Sequence, residues 1–124
     1  MLKVRKFTVN NFEENTYLVI DADTNKAAVI DPGMLTATER NRFDEFISKE
    51  KIDIDQVILT HAHLDHCFGA SYVRDEYGVR IQGHVDDEPL LKAVKNQAAR
   101  FGMAGAMTSE PSLDVRLKDG DVIL

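Results

Sequence analysis

The chain is short of basic charge, of cysteine and of long apolar runs, and each shortage closes off a class of function. Its 15 Lys and Arg stand against 21 Asp and Glu, a formal net charge of -6. Acidic residues are spread along the sequence and no basic stripe exists to neutralise phosphates, so neither nucleic acid nor an anionic membrane surface is an expected partner. A substrate can still be anionic, because a bound divalent metal reverses the local field. The single cysteine, Cys67, forbids an intrachain disulfide and suits a reducing compartment. No stretch reaches the roughly 20 apolar residues that span a bilayer, and residues 1–9 alternate charge with hydrophobe where a leader would carry an apolar core. A cytoplasmic location is expected. Gly-rich phosphate loops, internal repeats and low-complexity tracts are missing as well.

What remains is one small domain of 124 residues, long enough to bury about two thirds of its unfolded surface. Residues 4–9 and 16–20 have strand composition, with the polar segment 10–15 as their connection. Residues 27–30 form a third short strand, ended by Asp31-Pro32-Gly33. Pro32 has no amide proton for a ladder and Gly33 accepts positive φ, so the chain should turn sharply and leave Asp31 at a strand end. Phe43, Phe46 and Ile47 have helical spacing within residues 36–49. A helix there, before an apolar strand at 57–59, is the alternation in which helices cover a sheet. Further on, residues 68–76 read as a short helix stopped by Gly78, and 79–81 as a strand. A helix capped by Asp86 or Asp87 should run to about Phe101, with Pro89 in its first turn and Leu90, Leu91, Val94, Ala98 and Phe101 as its apolar stripe. Residues 102–111 read as a loop. Residues 113–117 and 122–124 read as strands joined by Lys118-Asp119-Gly120-Asp121, whose Asp-Gly pair favours tight hairpins. The sequence stops within apolar Val122-Ile123-Leu124, whereas domain boundaries favour polar segments, so a longer fold is expected.

Chemistry concentrates in residues 57–66, Val-Ile-Leu-Thr-His-Ala-His-Leu-Asp-His, where three of the four histidines and an aspartate follow a strand directly. His61 and His63 are two apart, the separation at which extended side chains share a side, and Asp65 and His66 follow where the chain turns toward a helix. One pair can chelate an ion while the other pair reaches its neighbour. Imidazole suits zinc, and a mixed nitrogen and oxygen set also admits iron or manganese. Two such ions share a hydroxide nucleophile and polarise a scissile carbonyl. Asp65 is then a ligand and a candidate proton acceptor. A catalytic zinc takes three protein ligands plus water, so four residues do not complete two shells. Asp31 is the auxiliary candidate: from its strand end it can orient a ligand histidine by accepting the other ring proton, the plainer alternative being a cap on its own turn. His84 is expected to be a surface or supporting residue. Cys67, with no base assigned to it, is expected as a small buried hydrophobe and not a nucleophile.

The run His61-Ala62-His63-Leu64-Asp65-His66-Cys67-Phe68-Gly69-Ala70 resembles the HxHxDHxxG(A/G) signature of the metallo-β-lactamase fold superfamily. Asn15-Thr16-Tyr17-Leu18-Val19 and Ala28-Val29-Ile30-Asp31-Pro32-Gly33 resemble the opening of its glyoxalase II-like, or hydroxyacylglutathione hydrolase-like, branch. The resemblance covers nearly the whole chain. It implies an α+β fold, the N-terminal portion of an αββα sandwich, with one domain over residues 1–124 truncated at its C-terminus. It implies that His61 and His63 hold a first metal, Asp65 and His66 a second, and that Asp31 supports the site. In such proteins a further histidine, a bridging aspartate and a last histidine lie downstream of the strand that ends here at Leu124. The chain would therefore carry half of each shell of two zinc ions, with partial or no occupancy, and be inactive alone. For the complete protein the resemblance implies attack by metal-bound hydroxide on the carbonyl of a small acyl thioester or ester. Iron-dependent sulfur dioxygenase-like chemistry is the rival reading, and an inactive fragment acting only in assembly is another. A sheet without its partner should expose an apolar face and self-associate.

Overall fold

The computed structural model describes residues 1–10, 12–60, 64–100 and 112–121. Strands β1 (Leu2–Val9) and β2 (Glu14–Asp21) form an antiparallel hairpin that pairs Phe7 with Thr16 and Val9 with Glu14. The connection is shorter than the polar composition of 10–15 suggests, because Glu14 and Asn15 belong to β2. Asn10 and Glu13 both take left-handed backbone, φ 54°, and the Asn10 side-chain oxygen accepts the Phe12 N–H at 2.8 Å, an Asx turn that reverses the chain.

Strand β3 (Lys26–Ile30) joins β2 antiparallel, and β4 (Asp53–Leu59), β5 (Ile81–His84) and β6 (Val115–Leu117) follow in parallel. The described strands make one six-stranded mixed sheet in the order β1 to β6. Each parallel step requires a crossover, which helices supply. Helix α1 (Ala37–Lys49) bridges β3 and β4, α2 (Leu64–Cys67) and α3 (Ala70–Tyr77) bridge β4 and β5, and α4 (Glu88–Lys92) and α5 (Val94–Arg100) lead toward β6. This mixed sheet with its helices is the expected N-terminal portion of an α/β sandwich. Among the described residues no helix is long and apolar enough to cross a membrane.

Alternation along the strands sends Phe7, Leu18, Ile20, Val29, Val57 and Ile81 into a core with Phe43 and Ile47 of α1, Val73 of α3 and Leu91 of α4. Phe43 is fully buried, edge-on to Phe7 at 5.5 Å and to Tyr77 at 6.1 Å. Val4, Val19, Ala28, Ile30 and Ile58 alternate to the other face and stand outside that core; Val4 is 66% exposed. The β1 edge is blunted by exposed Lys3, Arg5 and Lys6.

Several boundaries differ from the sequence expectation. Thr36 caps α1 without joining it, in a capping box with Glu39: the Thr36 hydroxyl accepts the Glu39 N–H at 3.1 Å and Glu39 accepts the Thr36 N–H at 3.2 Å. Glu39 also accepts the Asn10 N–H at 2.6 Å, tying the β1–β2 turn to α1. At the Asp31-Pro32-Gly33 turn the positive φ belongs to Asp31, 54°, and not to Gly33; aspartate is among the few side chains that tolerate this region. The helix expected over 68–76 is α3, which starts at Ala70 behind Gly69 and ends as expected at Gly78, φ 65°; a separate single turn, α2, precedes it. Strand β5 starts at Ile81, where the Asp114 carboxylate accepts the Ile81 N–H at 2.9 Å. Asp87 stands at the N-cap of α4 as expected, with Pro89 in the first turn, although its side chain makes no capping hydrogen bond; a 3-10 turn over Val85–Asp87 precedes it, capped by His84, which accepts the Asp86 N–H at 3.1 Å. The helix expected to run on to Phe101 breaks at Ala93, whose N–H takes the Leu90 carbonyl at 3.1 Å in a tighter 3-10 closure. Leu113 is buried ahead of β6 instead of lying in it. The turn at 118–121 closes with Asp121 N–H to Lys118 O at 3.1 Å, and its positive φ, 91°, falls on Gly120 alone. That is a type II signature, not the doubly positive turn of a two-residue hairpin. Phe101, the loop 102–111 and the strand at 122–124 lie outside the described residues.

Two contacts position the corner where β3, β4 and α2 meet. Gly69 donates its N–H to the Pro32 carbonyl at 2.8 Å, and a Cβ there would sit 3.1 Å from Met34 N, Met34 O and Pro32 O. All three are main-chain atoms with little room to move. Behind them, the Tyr72 and Tyr77 hydroxyls of α3 both donate to the Asp44 carboxylate of α1. Burial and these bonds push the Tyr72 phenol from its ordinary value of 10.0 up to about 12, and Tyr77 further in the same direction.

Gly69→Ala should therefore cost roughly 1–3 kcal/mol by overpacking, read as a lower denaturant midpoint. Asp44→Ala should cost about 2 kcal/mol, because two phenols lose a charged acceptor. Since both phenols titrate higher in the folded chain than in the unfolded one, their contribution is complete below the ordinary tyrosine value and fades as pH rises through the raised ones. A phenolate absorbance titration should show two late-ionising tyrosines that Asp44→Ala returns toward the ordinary range.

Candidate metal centre

Every polar atom of Asp31 is engaged. Its N–H donates to the Ile58 carbonyl at 2.9 Å and its carbonyl accepts from the Thr16 hydroxyl at 2.8 Å. Of its carboxylate oxygens, Oδ1 accepts the Thr60 N–H at 2.7 Å, and Oδ2 takes the Thr60 hydroxyl and lies 3.0 Å from His66 Nδ1. The residue is 4% exposed. Its left-handed backbone, on a non-glycine residue, is the kind of local strain that a surrounding network holds in place at functional sites. Here it turns the chain out of β3 so that one carboxylate spans the end of β4 and the first turn of α2.

Glu14 completes the corner. It is 5% exposed at the start of β2, with Oε1 3.5 Å from His66 Nδ1 and Oε2 3.1 Å from the Thr16 hydroxyl. That hydroxyl accepts the Gly33 N–H at 3.0 Å. One ligand-type atom from each of Glu14, Asp31 and His66 falls within 4.8 Å of the others. An imidazole between two carboxylates is a nitrogen and oxygen donor set, chemistry that fits zinc, iron or manganese. Beside it Phe12, on the β1–β2 turn, stacks on Phe68 with centroids 6.4 Å apart and planes 22° apart.

Of the residues singled out in the sequence, Asp31 and His66 are brought together at this corner. Asp65 lies in α2, and its side chain, like His61 and His63, is outside the described residues. His84 sits away at the end of β5, its Nδ1 occupied by the Asp86 N–H and its Nε2 3.5 Å from Asp119. Cys67 is fully buried. Glu14, Thr16 and Thr60 were not singled out. For Glu14 the available signal was alternation: counting back from Ile20 and Leu18 through Thr16 puts an acidic residue on the core-facing side of a strand.

Residues 9–124 match the family model of the metallo-beta-lactamase superfamily. Hydroxyacylglutathione hydrolase GloC of Haemophilus influenzae is 32% identical over 119 residues, covering 95% of this chain and 50% of that protein. A hydroxyacylglutathione hydrolase of Ruegeria pomeroyi is 33% identical over 93 residues, 73% of this chain and 34% of the relative. The chain thus spans about half or less of the length of these relatives. Among solved structures, TTHA1623 in a di-iron-bound form superposes with a TM-score of 0.79 at 25% identity, over 96% of this chain and 56% of that one. BLEG-1 B3 metallo-beta-lactamase superposes at 0.77 and 22% identity, over 94% and 54%, a likeness of fold alone. With the model match extending over nearly all of its length, the chain belongs to the metallo-beta-lactamase superfamily.

Proposed function

We propose that the chain is the N-terminal, ligand-bearing portion of a glyoxalase II-like metal-dependent hydrolase that cleaves a small acyl thioester or ester in the cytoplasm. Two relatives that bear the name hydroxyacylglutathione hydrolase support the substrate class, as does the acidic surface, which disfavours nucleic acid. The observation that carries the reading is the 3.0 Å approach of His66 Nδ1 to Asp31 Oδ2, because a carboxylate on one ring nitrogen fixes the tautomer and presents the other to an ion.

In this reading His61 and His63 hold one zinc ion and Asp65 and His66 the other, with the remaining ligands supplied from outside this chain. Bound ions supply Lewis acidity at the carbonyl and an activated water at neutral pH. Asp31, 3.0 Å from His66 Nδ1, is placed to take the ring proton when the other nitrogen binds an ion, and is itself held by the N–H and the hydroxyl of Thr60. Asp65, next to His66, is the candidate proton acceptor. Iron is the second reading for the metal, favoured by the di-iron-bound form of TTHA1623. The outward band of Val4, Val19, Ala28, Ile30 and Ile58 is proposed to drive self-association of the chain when no second sheet covers it.

Elemental analysis of purified protein, alongside its intact mass, should find zinc, with iron in its place supporting the second reading. His61→Ala should remove most of the bound metal, and unchanged content would contradict the ligand assignment. Light scattering should find the chain larger than a monomer, and Val4→Lys with Ile58→Lys should shift it toward one.

A further inference from the structure

We infer that Glu14 is a positioning residue of the metal centre: with Asp31 it brackets the Nδ1 edge of His66 and so sets the direction in which Nε2 meets an ion. The inference rests on the reading of His66 as a ligand. It adds a residue from a different strand, remote from the histidine run.

A carboxylate whose side chain is only 2% exposed is costly to bury unless its oxygens are used. Oε2 accepts from the Thr16 hydroxyl at 3.1 Å, and the buried Oε1 is aimed at His66 Nδ1 at 3.5 Å. Thr16 in turn reaches the Asp31 carbonyl at 2.8 Å and the Gly33 N–H at 3.0 Å. The Glu14 carboxylate and the main chain of Asp31 therefore meet on one hydroxyl, which ties the start of β2 to the turn that carries the second carboxylate. His66 needs such bracing. It comes from α2, a single turn of four residues with little rigidity of its own.

One acceptor on Nδ1 fixes which nitrogen carries the proton but leaves the ring free to rock about that contact. A second carboxylate from a neighbouring strand removes much of that freedom. Because the two ring nitrogens lie on opposite flanks of the imidazole, holding Nδ1 toward β2 and β3 turns Nε2 away from the sheet. Losing an outer partner of a ligand commonly lowers metal affinity by 10–100-fold.

The test uses the full chain loaded with zinc or cobalt, comparing Glu14→Gln and Glu14→Asp with His66→Ala. Glu14→Gln should release metal to a competing chelator at roughly tenfold lower chelator concentration and change the visible spectrum of the cobalt form. Glu14→Asp should restore part of both. Metal-free stability measured in parallel separates a packing role: a fall in that stability with unchanged metal retention and cobalt spectrum overturns the proposal. Should the Gln variant fail to fold, Glu14→Asp decides by the same two readouts, a wild-type result overturning it. If His66→Ala loses metal while the Glu14 variants hold it, Glu14 is not a positioning residue and the function reading stands. If His66→Ala keeps its full metal, the ligand reading itself falls.

Discussion

The carboxylate of Asp31 is the joint on which the rest of the corner depends. It sits where three segments that do not adjoin in sequence come to a point: the exit of β3, the exit of β4 at Thr60, and the single turn of α2 that carries His66. Parallel neighbours such as β3 and β4 leave their ends side by side, and in open α/β sheets that end is where ligands gather. The left-handed backbone of Asp31 turns the main chain out of β3, its N–H still on the Ile58 carbonyl, while its side chain crosses to Thr60 and His66. A lysine or leucine there would pay for the turn and provide none of the bridging.

What the sequence made legible and what it did not divide along one line, local against non-local. The Gly78 stop and the strand-ending Asp31 are set by neighbours a few residues away, so composition and spacing reach them. Glu14 was assigned to a connection because Asn10, Asn11, Glu13 and Asn15 around it are polar. Its place in β2 follows from eight paired positions against β1, which no local window contains. The split between α2 and α3 has a similar origin: Gly69 is where the helix must make room for the main chain of Pro32 and Met34. Asp87 does stand at the N-cap of α4, a local matter of residue type, whereas the extra 3-10 turn that His84 caps ahead of it depends on where β5 ends.

The sheet has two unlike faces. One is covered by the core side chains of α1, α3 and α4, with α1 and α3 locked to each other through Asp44. The other carries valine, alanine and isoleucine at half-buried positions outside the core. Strands in a sheet covered on both sides read as continuous apolar runs, and 27–30 and 57–59 do so. Their composition is that of an inner layer, in keeping with relatives about twice as long as this chain.

The hairpin of β1 and β2 stands at the margin of the sheet, and the outer strand of that pair is largely open to solvent, with Leu2 and Val4 about two thirds exposed. Margins of this kind open far more often than the interior, in local excursions that leave the remainder folded. Because Glu14 is the first residue of β2 and pairs with Val9, each fraying of this hairpin withdraws a carboxylate from His66 while Asp31 stays in place. The β1 sequence, paired with β2 from Leu2 to Val9, thus bears on the imidazole through the seat it gives Glu14.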